Sequence, residues 1–310
     1  MHVHGTGFVP QPFAVVYRAG YRVLGGGAMP PAESFDVLQD AGVDTVVAKA
    51  VGDPTVTRWY RGSAWDAVET QLSRLEAQLA ASGVEVGRGA LLGVEGGDAL
   101  ASTEHVERWH ARGVRVVTIV HLSDNRLGST CLPWQKFVTR WVPVRGRGAG
   151  LTRLGRSVVR RMQELGMLVD LAHCDRLTLL DAVDAAQAPV ASTHTGARAL
   201  QPGFPRFVAD DEMRAIASTG GVVGLWPYRS RGRGVRDMHE LAAHARYIAD
   251  LVGVEHLCIG TDMNGVPGTA DGYRGERDIQ RIGAALRDGG FTAEEVAAVM
   301  GANAARVLGL

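Results

Sequence analysis

Residues 90–121 read ALLGVEGGDALASTEHVERWHARGVRVVTIVH. The first six are apolar and nearly continuous, the mark of a strand covered on both faces. Residues 102–111 carry a helical pattern, and 114–121 return to a β-branched run. Strand, helix and strand in that order predict a parallel pair joined by a crossover helix. Each run also ends on a group that can bind a metal or move a proton, Glu95 in the first and His121 in the second.

The alternation continues in both directions. Segments 44–50 (DTVVAKA), 167–173 (MLVDLAH), 189–194 (PVASTH), 221–226 (GVVGLW) and 257–262 (LCIGTD) read as further buried strands. Segments 65–81, 151–165, 177–186, 210–218 and 238–252 read as helices. Seven strands are thus visible, and an eighth belongs before His2. That count favours a closed α/β barrel of the (β/α)8 type, over an open doubly wound sheet, with residues 1–310 as one domain. Only Met1 precedes His2, so the first strand is expected to be truncated. Segment 125–150 is expected as a long loop over the barrel mouth, and 229–236 (RSRGRGVR) as a surface loop.

Composition narrows the partners. Apolar residues make up 46% of the chain and charged residues 21%, which suits a large core and excludes disorder. The net charge is zero, so no basic field is available for nucleic acid or anionic lipid. Cys131, Cys174 and Cys258 are odd in number and scattered, which argues for a reducing compartment. The opening MHVHGTGFVP lacks a charged segment followed by an apolar stretch, and no apolar run reaches the ~20 residues that span a bilayer. A cytoplasmic protein is the expectation.

Five predicted strands end on Glu95, His121, His173, His194 and Asp262, and His2 with His4 would add a sixth. In a parallel barrel these ends share one face, where barrel enzymes place their chemistry. Imidazole and carboxylate are the usual zinc ligands, and strand alternation puts His2 and His4 on one side. Four histidines hold two metals if Glu95 bridges them. Two metals can clamp a hydroxide and make it nucleophilic near neutral pH, with Asp262 passing its proton to the leaving group. A carboxylate ending an apolar strand against Gly96 and Gly97 is a costly place for a merely structural charge. By contrast His105, His110, His239, His244 and His256 fall on helices or before a strand, and carry no assigned chemistry.

An ordered set of motifs resembles the membrane (renal) dipeptidase family, within the amidohydrolase-like metallohydrolases. The motifs are Gly93-Val94-Glu95-Gly96-Gly97, Thr118-Ile119-Val120-His121, Gly150-Leu151-Thr152 with Gly155, Val169-Asp170-Leu171-Ala172-His173 and Ser192-Thr193-His194. Gly260-Thr261-Asp262-Met263-Asn264-Gly265 and Gly301-x-Asn303-x-x-Arg306-Val307-Leu308 complete it. The resemblance implies a barrel with two zinc ions, or another divalent pair. His2 and His4 then hold the first ion, Glu95 bridges, and His173 and His194 hold the second. By the same resemblance His121 contacts substrate and stabilises the developing oxyanion, Arg206 binds the substrate carboxylate, and Asp262 is the catalytic acid and base. The implied substrate is a dipeptide or similar small amide. Family members are often dimers, so a homodimer is an expectation. Two departures stand out. The family's His-x-Asp is His2-x-His4 here, and its Asp-Phe-Asp-Gly is Asp262-Met263-Asn264-Gly265, which places Asn264 as an altered substrate contact.

Two rivals remain at this level. One is another amidohydrolase activity, a lactonase, phosphotriesterase or deaminase, with Lys49 or Lys136 carboxylated between the metals. The other is a catalytically impaired binding or accessory homologue. Metal content separates the second from both enzyme readings.

Overall fold

Eight short strands lie side by side, each parallel to the next, in the computed structural model of the chain. It describes residues 2–6, 9–10, 13–25, 32–132 and 149–310, with backbone alone at 2, 16, 17, 21, 22, 24 and 25. The strands are β1 (His2–Val3), β2 (Val46–Val51), β3 (Ala90–Glu95), β4 (Val114–Thr118), β5 (Leu168–Asp170), β6 (Val190–Thr195), β7 (Val222–Leu225) and β8 (Leu257–Ile259). The ring closes where Val3 bridges Met263 and the His4 N–H donates to the Met263 carbonyl at 2.9 Å. The first strand, expected ahead of His2, is therefore His2–Val3 itself, paired with Val47 and Ala48.

Helices between the strands cover the outside, and their starts follow local chemistry. Ser63 and Asp66 form a reciprocal capping box at Ala64–Ala81, while Thr152, Asp175 and Asp237 accept backbone N–H groups at the next helix starts. Among the described residues no helix is long and apolar enough to cross a membrane. Segment 229–236 is not an irregular loop. Arg229–Ser230 pairs antiparallel with Arg233–Gly234 as a small ribbon. Of the predicted mouth loop 125–150, residues 133–148, including Lys136, lie outside the described residues.

Strand periodicity of two organises the barrel interior in layers. The lowest is apolar and takes one residue from each of seven strands: Val47, Leu91, Val116, Leu168, Ala191, Val222 and Cys258. Ala304, Val307 and Leu308 pack beneath it from the helix Asn303–Leu308. Asn303 Nδ2 fastens that helix by donating to Val254 and Leu257 carbonyls, both at 2.8 Å. Two residues up each strand the layer changes to Lys49, Gly93, Thr118, Asp170, Thr193, Gly224 and Gly260. There Lys49 Nζ donates to Asp170 Oδ2 at 2.6 Å and to Thr118 Oγ1 at 2.7 Å. Gly93 makes room for it, since a Cβ at 93 would stand 2.8 Å from Lys49 Cγ.

The strands stop earlier than their apolar runs suggest. His121, His173 and Asp262 each lie three residues past the end of a strand, at Thr118, Asp170 and Ile259. His173 (φ 66°) and Asp262 (φ 56°) adopt left-handed backbone, which cannot continue a strand.

Candidate metal centre and substrate site

Glu95 ends β3 and is almost wholly buried. Its two oxygens face different partners. Oε2 lies 2.9 Å from His4 Nε2, whereas Oε1 lies 3.3 Å from His173 Nε2 and 3.5 Å from His194 Nε2. Asp262 Oδ1 stands 3.4 Å from His4 Nε2 on the first side. Two groups of buried ligand atoms result, Glu95–His173–His194 and His4–Glu95–Asp262, each with its atoms within 4.8 Å of one another. They share Glu95, the arrangement a bridging carboxylate requires. His173 Nε2 and His194 Nε2 approach to 3.0 Å.

The donor set fits a pair of divalent ions. Neutral imidazole and carboxylate are ordinary ligands for zinc and its neighbours. Asp262 Oδ1 is buried with His4 Nε2, at 3.4 Å, beside it, and a buried carboxylate oxygen is costly unless that imidazole is protonated or a cation is bound. The glycine at 265 keeps this cradle open, since a Cβ there would stand 2.1 Å from Asp262 Oδ1 and 2.8 Å from His4 Cδ2. Backbone strain gathers here too. Three of the four non-glycine residues with positive φ among those described are His173, Asp262 and Asn264. Each such residue costs about 1–3 kcal/mol and persists where the surroundings over-determine it.

The electrostatics of the two sides differ. Burial would lower the His4 pKa, but the Asp262 and Glu95 carboxylates outweigh it and push it up to about 10. His173 is held well below its ordinary value by burial and by the nearby Arg206 and His121. One side of Glu95 thus attracts a proton while the other repels it. Metal-free, the cluster favours positive charge beside His4, which is what a cation bound there would supply.

A family model for membrane dipeptidase (peptidase family M19) matches residues 68–310. The chain belongs to the membrane dipeptidase family. A curated relative, dipeptidase tcpJ of Claviceps purpurea (strain 20.1), is 30% identical over 224 residues, covering 71% of this chain and 50% of that protein. The chain spans about half the length of the curated relatives it matches. Among solved structures, the probable dipeptidase PvdM from Pseudomonas aeruginosa aligns with a TM-score of 0.75 at 17% identity, over 95% of this chain and 98% of that one. A metallo peptidase from Rhodobacter sphaeroides, liganded with a phosphinate mimic of the dipeptide L-Ala-D-Ala, aligns at 0.72 and 17% identity, over 100% and 99%. At such identity these structures share the fold.

The site of this membrane dipeptidase family member gathers most of the residues singled out by sequence. His4, Glu95, His173, His194 and Asp262 converge as described. His121 lies at their edge, its ring T-shaped against His173 with centroids 4.5 Å apart and its Nε2 3.9 Å from Glu95 Oε2. Arg206 is only 3% exposed. Its Nη2 donates to the His194 carbonyl at 3.2 Å, and its guanidinium lies 4.8 Å above the Trp226 ring. Its Nε has no hydrogen-bond partner among the described residues. The His2 side chain lies outside the described residues. Asn264 is turned to the main chain: Nδ2 donates to the His4 and Glu33 carbonyls at 2.7 and 3.0 Å, and Oδ1 accepts the Glu33 N–H at 2.9 Å. Its amide braces His4.

Sequence reasoning missed the residues that hold the imidazoles by their second nitrogen. His4 Nδ1 lies 2.9 Å from the Lys49 carbonyl, and His194 Nδ1 lies 3.0 Å from Thr193 Oγ1. Thr193 Oγ1 in turn donates to Asp170 Oδ2 at 2.8 Å. Burial would raise the Asp170 pKa, but Lys49, the Thr118 hydroxyl and the Ala172 N–H bring it down to about 2. His121 Nδ1 bonds Asp53 Oδ2. Asp53 lies 68 residues from His121, and no local sequence signal ties the two together.

Proposed function

We propose that this chain hydrolyses the amide bond of dipeptides, or of similar small amides bearing a free carboxylate, at a centre of two zinc ions. The observation that carries this reading is the division of Glu95, one oxygen toward His4 and Asp262, the other toward His173 and His194. His2 is the expected further ligand beside His4. Bound there, two divalent ions supply Lewis acidity and an acidified water.

The chain's own groups do the rest. Asp262 accepts the proton of the attacking water and returns it to the departing amine. His121 directs its Nε2–H at the oxygen on which charge develops. Arg206, buried with an unused Nε donor, holds the substrate carboxylate in a charge-assisted contact. Asn264 enters as the brace of His4 rather than as a substrate contact. Lys49 does not serve as a carboxylated bridge in this reading, because its Nζ is bound to Asp170 and Thr118.

The test is elemental analysis of the purified protein with dipeptide hydrolysis on the same sample. Two zinc equivalents with turnover support the proposal. Two metals without dipeptide turnover move the search to other amides, lactones or phosphoesters. One metal or none after zinc reconstitution overturns it in favour of a binding role. Asp262→Asn is expected to lower turnover by about 10²–10⁴-fold with the Glu95–His173–His194 ion retained, and ordinary turnover in that variant would sink the role of Asp262.

A further inference from the structure

β2 contributes no residue to either metal-ligand group, yet its end runs directly into the site. The Gly52 N–H donates to the Glu95 carbonyl at 2.7 Å, and a Cβ at Gly52 would stand 2.0 Å from the Gly96 carbonyl oxygen. The glycine lets the chain pass tightly against the turn that carries Glu95. The next residue is Asp53, which is fully buried. Its two carboxylate oxygens have separate duties. Oδ1 accepts the Thr55 N–H at 2.7 Å and caps the helix Pro54–Thr57. Oδ2 accepts a hydrogen bond from the His121 Nδ1–H.

Pro54 and the cap fix this carboxylate on both sides, and the carboxylate fixes the ring. An imidazole whose Nδ1–H is donated to a carboxylate has one orientation, and the same carboxylate favours the ring that carries a hydrogen on both nitrogens, so that Nε2–H is the donor left to face the site. That nitrogen is the one turned toward Glu95, at 3.9 Å. Packing alone would hold the ring plane but not choose between its two nitrogens.

We propose that Asp53 is the positioning residue of the site, holding the Nδ1 proton of His121 and so aiming Nε2 at the substrate. This rests on the role given to His121 above. A purely structural Asp53 would affect stability alone.

Two variants separate the possibilities. Asp53→Asn keeps an acceptor for Thr55 but no longer offers a carboxylate to His121. Asp53→Ser also keeps the cap, since serine caps about as well as aspartate, and is too short to reach the ring. The expected result in both is kcat lower by about 10–100-fold, the usual effect of losing an orienting partner, with KM within about 3-fold and zinc content unchanged. 15N NMR of the zinc-loaded protein is expected to show a protonated Nδ1 on His121, lost or shifted in Asp53→Ser. The NMR readout needs no substrate, so it tests Asp53 even if dipeptides are not hydrolysed. An unprotonated Nδ1 in the parent protein, or variants less stable with unchanged kcat, would overturn the proposal.

Discussion

At the end of the barrel where the strands begin, seven of them turn one apolar residue inward, and the terminal helix Asn303–Leu308 closes over that layer. At the end where they finish, the same barrel presents His4, Glu95, His173, His194 and Asp262, all buried. Four or so residues of strand separate the two. The lower end is stabilised by removing apolar surface from water, with no demand on orientation beyond close packing. The upper end buries charge and imidazole, which is tolerable only when every group meets a partner of the right kind. Between them lies the Lys49–Asp170 layer, with side chains of both residues fully buried. It is polar on behalf of the end above it, because Asp170 also accepts the Ala172 and Thr193 N–H groups, both at 3.0 Å, that set the chain leading to His173 and His194.

The largest expected effect breaks this middle layer. Lys49→Met leaves Asp170 buried without its cation and is expected to cost about 3–5 kcal/mol of stability. Zinc affinity is expected to fall as well, measured by denaturant titration and by competition with a chelator. Unchanged affinity would mean that the layer supports the barrel but not the site. The lower end is expected to answer differently. Leu91→Ala removes side-chain volume from the apolar layer and is expected to cost about 2–4 kcal/mol, with zinc affinity and any turnover per folded molecule unchanged. A fall in zinc affinity would show that the two ends are mechanically coupled.

The smallest effect concerns a buried histidine outside both ends. His244, on Met238–Val252, accepts the Ala197 N–H through Nδ1 at 3.0 Å, and burial lowers its pKa to about 4. Its folded pKa is therefore below the unfolded value near 6.5, and the unfolded chain binds the proton first. Stability from this residue is complete above about pH 6.5 and lost as pH falls through the window down to about 4. The expected loss is on the order of 3 kcal/mol, read from urea midpoints across that range. His244→Gln is expected to flatten the dependence, and an unchanged slope would mean that other groups carry it.

Much of this contrast was legible in the sequence. Segments such as 90–95 and 114–121 announce buried strands by their apolar continuity, and Glu95 before two glycines announces an unusual end. The ligand-type residues His4, Glu95, His173, His194 and Asp262 all come together. Less legible was where strands stop before His121 and His173, because Ile119-Val120 and Leu171-Ala172 are as apolar as the strands themselves. At His173 it is left-handed backbone that separates the two. Asn264 looked like a substrate contact by its place in a motif. Its amide geometry depends on Glu33, which is 231 residues away in sequence.

The sequence by itself determined the alternation of strand and helix, the near-continuous apolar runs of the strands, the chemistry available at the strand ends and the family. Those are properties of neighbouring residues, carried by local periodicity and residue type. Tertiary structure alone decided which oxygen of Glu95 faces which histidine, that Lys49 is consumed by Asp170, and that Asp53 reaches His121. Each of those is a hydrogen bond or ionic contact between strands distant in sequence. Its formation depends on register and on closure of the ring through Val3 and Met263, which no local pattern encodes.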